Sequence, residues 1–184
     1  MNIFLRSSSR LTRGTLAFVA IFFLLFFAAG AFSPLKAQNV TETFESYWST
    51  DQVVSKPHTY GPFIYDTDGD LEQLPGPNAL SLSSGNPGSF FTIKAVSGNA
   101  FQLISLGLDR DGGLTGDVNA VVTGYRSGSA VTSGVPIAIK PNEISFDFSS
   151  QPGFSNVDEV RITGTNISFF LEDWTYDLTI PTSI

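Results

Sequence analysis

The residues best placed to do chemistry are the acidic side chains of the run Asp66-Thr67-Asp68-Gly69-Asp70-Leu71-Glu72. Carboxylates at alternate positions, with a glycine that permits a sharp turn, can converge hard oxygens on one cation, which is what calcium requires. Asp66, Asp68, Asp70 and Glu72 are therefore the candidate ligands of a structural Ca2+. An EF-hand is excluded, because its twelfth position needs a bidentate glutamate and here falls on Pro77. The competing reading is a solvated acidic turn. A second loop, Asp109-Arg110-Asp111-Gly112-Gly113-Leu114-Thr115-Gly116-Asp117, repeats the pattern more weakly. Asp109, Asp111 and Asp117 offer carboxylates there, but Arg110 can neutralise them as a surface pair of small value.

Binding asks for less chemistry than catalysis. A sugar site combines an aromatic face with a few placed polar groups in a concave surface. Trp48, Tyr60, Tyr65 and Tyr125 fall in or beside loops, and Trp48, Tyr60 and Tyr65 are the candidate ligand-binding residues. The alternative for Tyr60 is that it closes one end of the fold together with Phe63. Trp174 and Tyr176 follow strand periodicity and belong to the core. Glycoside hydrolysis would need two carboxylates about 5 to 9.5 Å apart in a cleft. Asp147 with Glu172 or Asp173 is the pair available, and the pattern does not separate them from a wet sheet face. His58, the single histidine, lies in Lys56-Pro57-His58-Thr59-Tyr60 without a nucleophile motif, and no phosphate-binding or dinucleotide fingerprint occurs. No catalytic residue is assigned.

The elements that must position these residues are short, β-branched or aromatic segments separated by Gly, Asn, Asp and Pro, with no long helical periodicity. Strands are expected at 90–95, 101–108, 118–125, 135–139, 144–148, 157–162, 167–171 and 174–180. An edge strand is expected around 42–47 and a short one near 63–65. Spacing of about ten residues predicts an all-β antiparallel sandwich. In ISFDF, Ile144, Phe146 and Phe148 oppose Ser145 and Asp147. In WTYDLTI, Trp174, Tyr176, Leu178 and Ile180 oppose Thr175, Asp177 and Thr179. Both read as strands with one wet face. FQLISLGL has no clean polar face and is expected to be central.

Residues 1–37 stand apart. Arg6, Arg10 and Arg13 precede the apolar run 16–32, LAFVAIFFLLFFAAGAF, in the order of a secretory signal cleaved near Ala37. The alternative is a retained membrane anchor, since the run reaches the short end of the spanning range. Four of the ten basic residues and none of the acidic ones lie in this segment, so the remainder carries 6 basic and 17 acidic side chains, a net of −11. Such a charge, without a basic stripe, excludes nucleic acid as a partner. The absence of cysteine rules out disulfides and thiol chemistry, and in an exported domain of this size fits bacterial export best. Residues 38–184 carry no linker and no repeat, and are read as one domain.

Several phrases resemble a family of bacterial secreted jelly-roll domains, found in exported proteins that end in a Pro-Glu-Pro sorting tail. They are Phe44-Glu45, Tyr60-Gly61-Pro62-Phe63, the pair 101–108 and 121–131, and 154–164, FSNVDEVRITG. The late phrase Phe170-Leu171-Glu172-Asp173-Trp174 is similar to the family's ending, with Glu172 inserted and Trp174 replacing a small aliphatic residue. The resemblance covers about 42–180 and does not extend to a sorting tail. It implies a galactose-binding-like jelly roll, a scaffold used for carbohydrate recognition, adhesion and matrix roles. Fold analogy does not assign function. The expectation is a secreted or extracellular binding or adhesion module, in the periplasm or at the cell surface, recognising polysaccharide or matrix. A structural surface component and a carbohydrate-active hydrolase are the alternatives.

Overall fold

The computed structural model describes residues 38–44, 52–74, 79–142 and 144–178. The signal-like segment, Trp48 and Ile180 lie outside the described residues. Fourteen strands are named: β1 (Asn39–Glu42), β2 (Gln52–Val53), β3 (His58–Tyr60), β4 (Phe63–Thr67), β5 (Asp70–Leu74), β6 (Ala79–Ser83) and β7 (Pro87–Ala95). They continue as β8 (Gln102–Arg110), β9 (Val118–Arg126), β10 (Ser129–Ala130), β11 (Val135–Ile139), β12 (Ile144–Asp147), β13 (Glu159–Thr165) and β14 (Ser168–Asp177).

These strands form two antiparallel sheets. The first runs β12-β8-β14-β6-β5-β2, with β1 also pairing β14; the second runs β10-β9-β13-β7-β4-β3, with β11 also pairing β9. From β6 onward the chain crosses between the sheets at every connection except those joining β9, β10 and β11, which gives the jelly-roll wrapping. The fold is the all-β antiparallel sandwich that the spacing predicts. β14 fuses two expected strands into one, with a register shift between Leu171 and Asp173 where its sequence carries the extra Glu172. A second shift between Thr175 and Tyr176 faces β8. There Leu103 and Leu106 are both buried, so the inward phase slips by one residue. That slip is why FQLISLGL lacks a polar face. One alternation fails at its end: Asp177 is buried and Leu178 is exposed, because β14 stops at Asp177.

The core is aromatic. Phe63 meets Trp174 and Tyr176 edge-on at centroid distances of 4.5 and 4.8 Å, and Phe101 at 5.2 Å. Such contacts add to the burial of large apolar surface. At the centre, Trp174 Nε1–H on β14 donates to the Tyr65 hydroxyl on β4 at 3.1 Å, a buried bond from one sheet to the other. Burial pushes the Tyr65 hydroxyl pKa far above its ordinary value, so it stays protonated. Tyr65→Phe would leave the indole N–H without its acceptor. A loss of about 2 kcal/mol is expected, read from urea unfolding, because an orphaned buried donor keeps its desolvation cost.

A second link between sheets sits at one end. The amide of Gln73 on β5 donates to His58 Nε2 on β3 at 3.0 Å, so this nitrogen is the unprotonated one. Partial burial lowers the His58 pKa from its ordinary value of 6.5. The unfolded chain then binds this proton more readily, so the contribution to stability is complete above about pH 6.5 and falls as the pH drops toward the folded-state pKa. Thermal unfolding of the wild type should lose more stability between pH 7 and 5 than that of His58→Gln.

Candidate functional site

The acidic run does not gather around a cation. β4 belongs to one sheet and β5 to the other, so the chain turns the corner of the sandwich at Asp68-Gly69. Asp66 sits on the outer face of the second sheet, while Asp70 and Glu72 alternate with the buried Leu71 and Gln73 on the first. Two of the four carboxylates are engaged locally. Asp66 Oδ1 accepts the Thr67 N–H at 2.9 Å, and Asp68 accepts the Phe90 N–H at 3.0 Å and the Ser84 hydroxyl at 3.4 Å. Gly69 is required here because a Cβ would stand 2.2 Å from the Ser83 carbonyl oxygen. Among the described residues no group of three or more Asp, Glu or His side chains is arranged to hold a metal. Asp66, Asp68, Asp70 and Glu72, the residues expected to hold calcium, are thus divided between two sheets, and the run forms a corner that pins the start of β7.

The second acidic loop is likewise built on its own backbone. Asp111 accepts the Gly113 N–H at 3.0 Å and the Ser168 hydroxyl at 2.9 Å, and Arg110 donates to the Gly116 carbonyl at 2.6 Å. Two of the three aromatic candidates are buried. Tyr65 is fully buried, and Tyr60, at 8% exposure, packs on Phe44 and Tyr65, so neither ring has a free face to offer a ligand. Tyr60 and Phe63, for which closing one end of the fold is the alternative, are both buried in the core. Trp48 falls outside the described residues.

The outer face of the second sheet carries a different constellation. On β9 the inward Val118, Ala120 and Val122 alternate with Asn119, Val121, Thr123 and Tyr125; on β13 the inward Val160 and Ile162 alternate with Glu159, Arg161 and Thr163. β7 contributes Phe90, Thr92 and Lys94 to the same face, and β4 contributes Ile64 and Asp66. Register fixes the neighbours. Glu159 stands between Tyr125 and Lys94, Arg161 between Thr123 and Thr92, and Thr163 between Val121 and Phe90. The Arg161 guanidinium lies 4.6 Å from the Tyr125 ring centroid and 6.0 Å from that of Phe90. Tyr125, Arg161 and Phe90 thus form a half-exposed diagonal across three adjacent strands.

Glu159 holds that diagonal in place. Its carboxylate, only 10% exposed, accepts from Arg161 Nη2 at 2.6 Å and Nε at 3.2 Å, and Lys94 approaches at 3.8 Å. A nearly buried carboxylate with two cationic partners orients the guanidinium over the rings. Two grooves flank the diagonal. One, of about 650 Å3, lies over β9, β11 and the β13–β14 turn, lined by Thr115, Asn119, Val121, Pro136, Thr163 and Asn166 among others. The other, of about 420 Å3, lies over β4, β7 and β13, lined by residues including Pro57, Ile64, Asp66, Phe90, Lys94 and Arg161.

Sequence reasoning missed this site because it looked for aromatics in loops. Tyr125 was visible beside a loop, and Arg161 was visible as a polar position alternating with Val160 and Ile162. What brings them together is register between distant strands. The carboxylates considered for hydrolysis lie on the other sheet. Asp147 on β12 pairs with Ser105 and Asp173 on β14 with Gly107, so β8 runs between them. Hydrogen bonds from Ser149 hold the Asp147 carboxyl below its ordinary pKa, which keeps it ionised and unsuited to donate a proton.

No protein-family model and no curated protein matches the chain. Among solved structures, it is similar to a family 29 carbohydrate-binding module from Piromyces equi, at 14% identity and a TM-score of 0.47, over 82% of this chain and 97% of that one. It is also similar to the apo CBM1 module of BiXyn10A, at 5% identity and a TM-score of 0.42, over 76% and 97%. A third structure, described as "CBM4 structure and function", has 16% identity and a TM-score of 0.29, over 64% and 90%.

The corner reading makes a direct prediction. Thermal unfolding should have the same midpoint in millimolar calcium and in excess chelator, because a cation raises stability only when the folded state binds it. A calcium-dependent rise abolished by Asp68→Asn would show instead that the corner rearranges around a metal.

Proposed function

We propose that this chain is an exported, non-catalytic module that binds polysaccharide on the outer face of the second sheet. The observation that carries the reading is the Tyr125–Arg161–Phe90 diagonal with a groove on either side. A sugar ring presents apolar C–H faces and hydroxyl edges. The half-exposed rings suit the first, while the guanidinium, Asn119, Thr123 and Thr163 suit the second. Arg161 reaches this task already oriented by Glu159, so little side-chain freedom is lost on binding. Export follows from the order of charge and apolar run in 1–37.

Affinity electrophoresis through gels containing soluble glucans, mannans or xylans tests this. Retardation by at least one polymer is expected, and Tyr125→Ala should weaken it about tenfold, as for a central aromatic anchor. Tyr65→Phe should leave retardation unchanged while lowering stability. No retardation by any polymer, with Tyr125→Ala indistinguishable from wild type, would overturn the reading.

A further inference from the structure

The two grooves are not independent features. The strand residues that line them come from β11, β9, β13, β7 and β4, which are consecutive neighbours in the second sheet; the β8–β9 loop, the β13–β14 turn and Pro57 supply the rest. The grooves meet where Thr163 of the first is register partner to Phe90 of the second. Five strands at the usual separation span about 19 Å from first to last, so a ligand touching both grooves lies across the strands rather than along one. A single sugar fills only one of them.

Charge narrows the ligand further. The lining of the larger groove includes one acid, Asp117, and no base. The smaller groove brings Lys94 and Arg161 against Asp66 and Glu159, and both cations already share the Glu159 carboxylate. Neither groove therefore offers an uncompensated cation to a carboxylate or sulfate group, and the chain beyond the signal-like segment is strongly acidic. The larger groove instead offers hydroxyls and amides at Thr115, Asn119, Thr163 and Asn166 beside Val121 and Pro136.

We infer that the grooves are consecutive subsites for one uncharged linear glycan laid across the strands, with Arg161 at their junction. This rests on the polysaccharide-binding reading and adds the ligand's charge, length and direction. The test is calorimetric titration of residues 38–184 with di- to hexasaccharides from whichever neutral polymer retards the protein, alongside polygalacturonate and chitosan. Affinity should rise with chain length. The double variant Thr115→Ala, Asn119→Ala should lower hexasaccharide affinity about tenfold while leaving the disaccharide unaffected. Arg161→Ala should weaken both. Both variants are to be compared with wild type in unfolding midpoint, and an equal midpoint assigns the change to the grooves.

Affinity independent of length, equal effects of the double variant on short and long ligands, or equal binding of polygalacturonate or chitosan would overturn the two-subsite inference while sugar binding itself stands. No binding to any polymer would remove the underlying reading instead.

Discussion

A buried hydrogen bond between Trp174 and Tyr65 is the constraint from which the rest of the sandwich takes its position. Two sheets packed through aromatic rings could slide over one another at small cost, because apolar contact has little direction. A donor and an acceptor placed on opposite sheets remove that freedom, since any slip leaves an indole N–H unsatisfied in the interior. Phe63 and Phe101 meet Trp174 edge-on, Tyr176 packs against it at a shallow tilt, and together they add shape to the same restriction. With β4 and β14 fixed in this way, β7 is aligned through its pairing with β4, and β13 through its pairing with β7. The diagonal on the outer face is thus positioned from behind.

The acidic corner has the complementary role of fixing an edge. Thr67, Asp68 and Gly69 bind the backbone of β7 and each other: the Thr67 hydroxyl donates to the Phe90 carbonyl, and Asp68 accepts the Phe90 N–H. Lys56 closes the corner from outside through the Gly69 carbonyl. Phe90 is therefore held through both backbone polar groups while its ring stays half-exposed. A run that looks like metal chemistry serves to orient an aromatic residue some twenty positions later in the chain.

How much of this was legible in the sequence follows from the range of the physics involved. Alternation is local, so ISFDF and the Val118–Tyr125 stretch could be assigned as strands and their buried residues anticipated. Ala79–Ser83 escaped because Leu80, Ser81 and Leu82 are all buried, with no polar partner in the rhythm, and Asp70–Leu74 escaped because its acids read as a loop. The short strand expected at 63–65 is β4, where Phe63, Tyr65 and Thr67 point inward and alternate with Ile64 and Asp66, so Tyr65 belongs to the core and not to a loop-borne site. The constellation on the outer face of the second sheet was beyond reach for a different reason. Arg161 is 36 residues from Tyr125 and 71 from Phe90 in sequence, and only the pairing of β13 with both neighbours makes them one surface.

The strict alternation along β7, β9 and β13 separates two kinds of inheritance in one stretch of chain. Every second residue answers to the core and is constrained by volume; those between answer to whatever lies on the face. The face can therefore change by single substitutions at Asn119, Thr123 or Thr163 without repacking the interior. Glu159 and Thr92 are the exceptions, since both point to the face yet are less than a tenth exposed. A lineage diversifying its ligands on this scaffold would change the residues around Glu159 while keeping Glu159 itself.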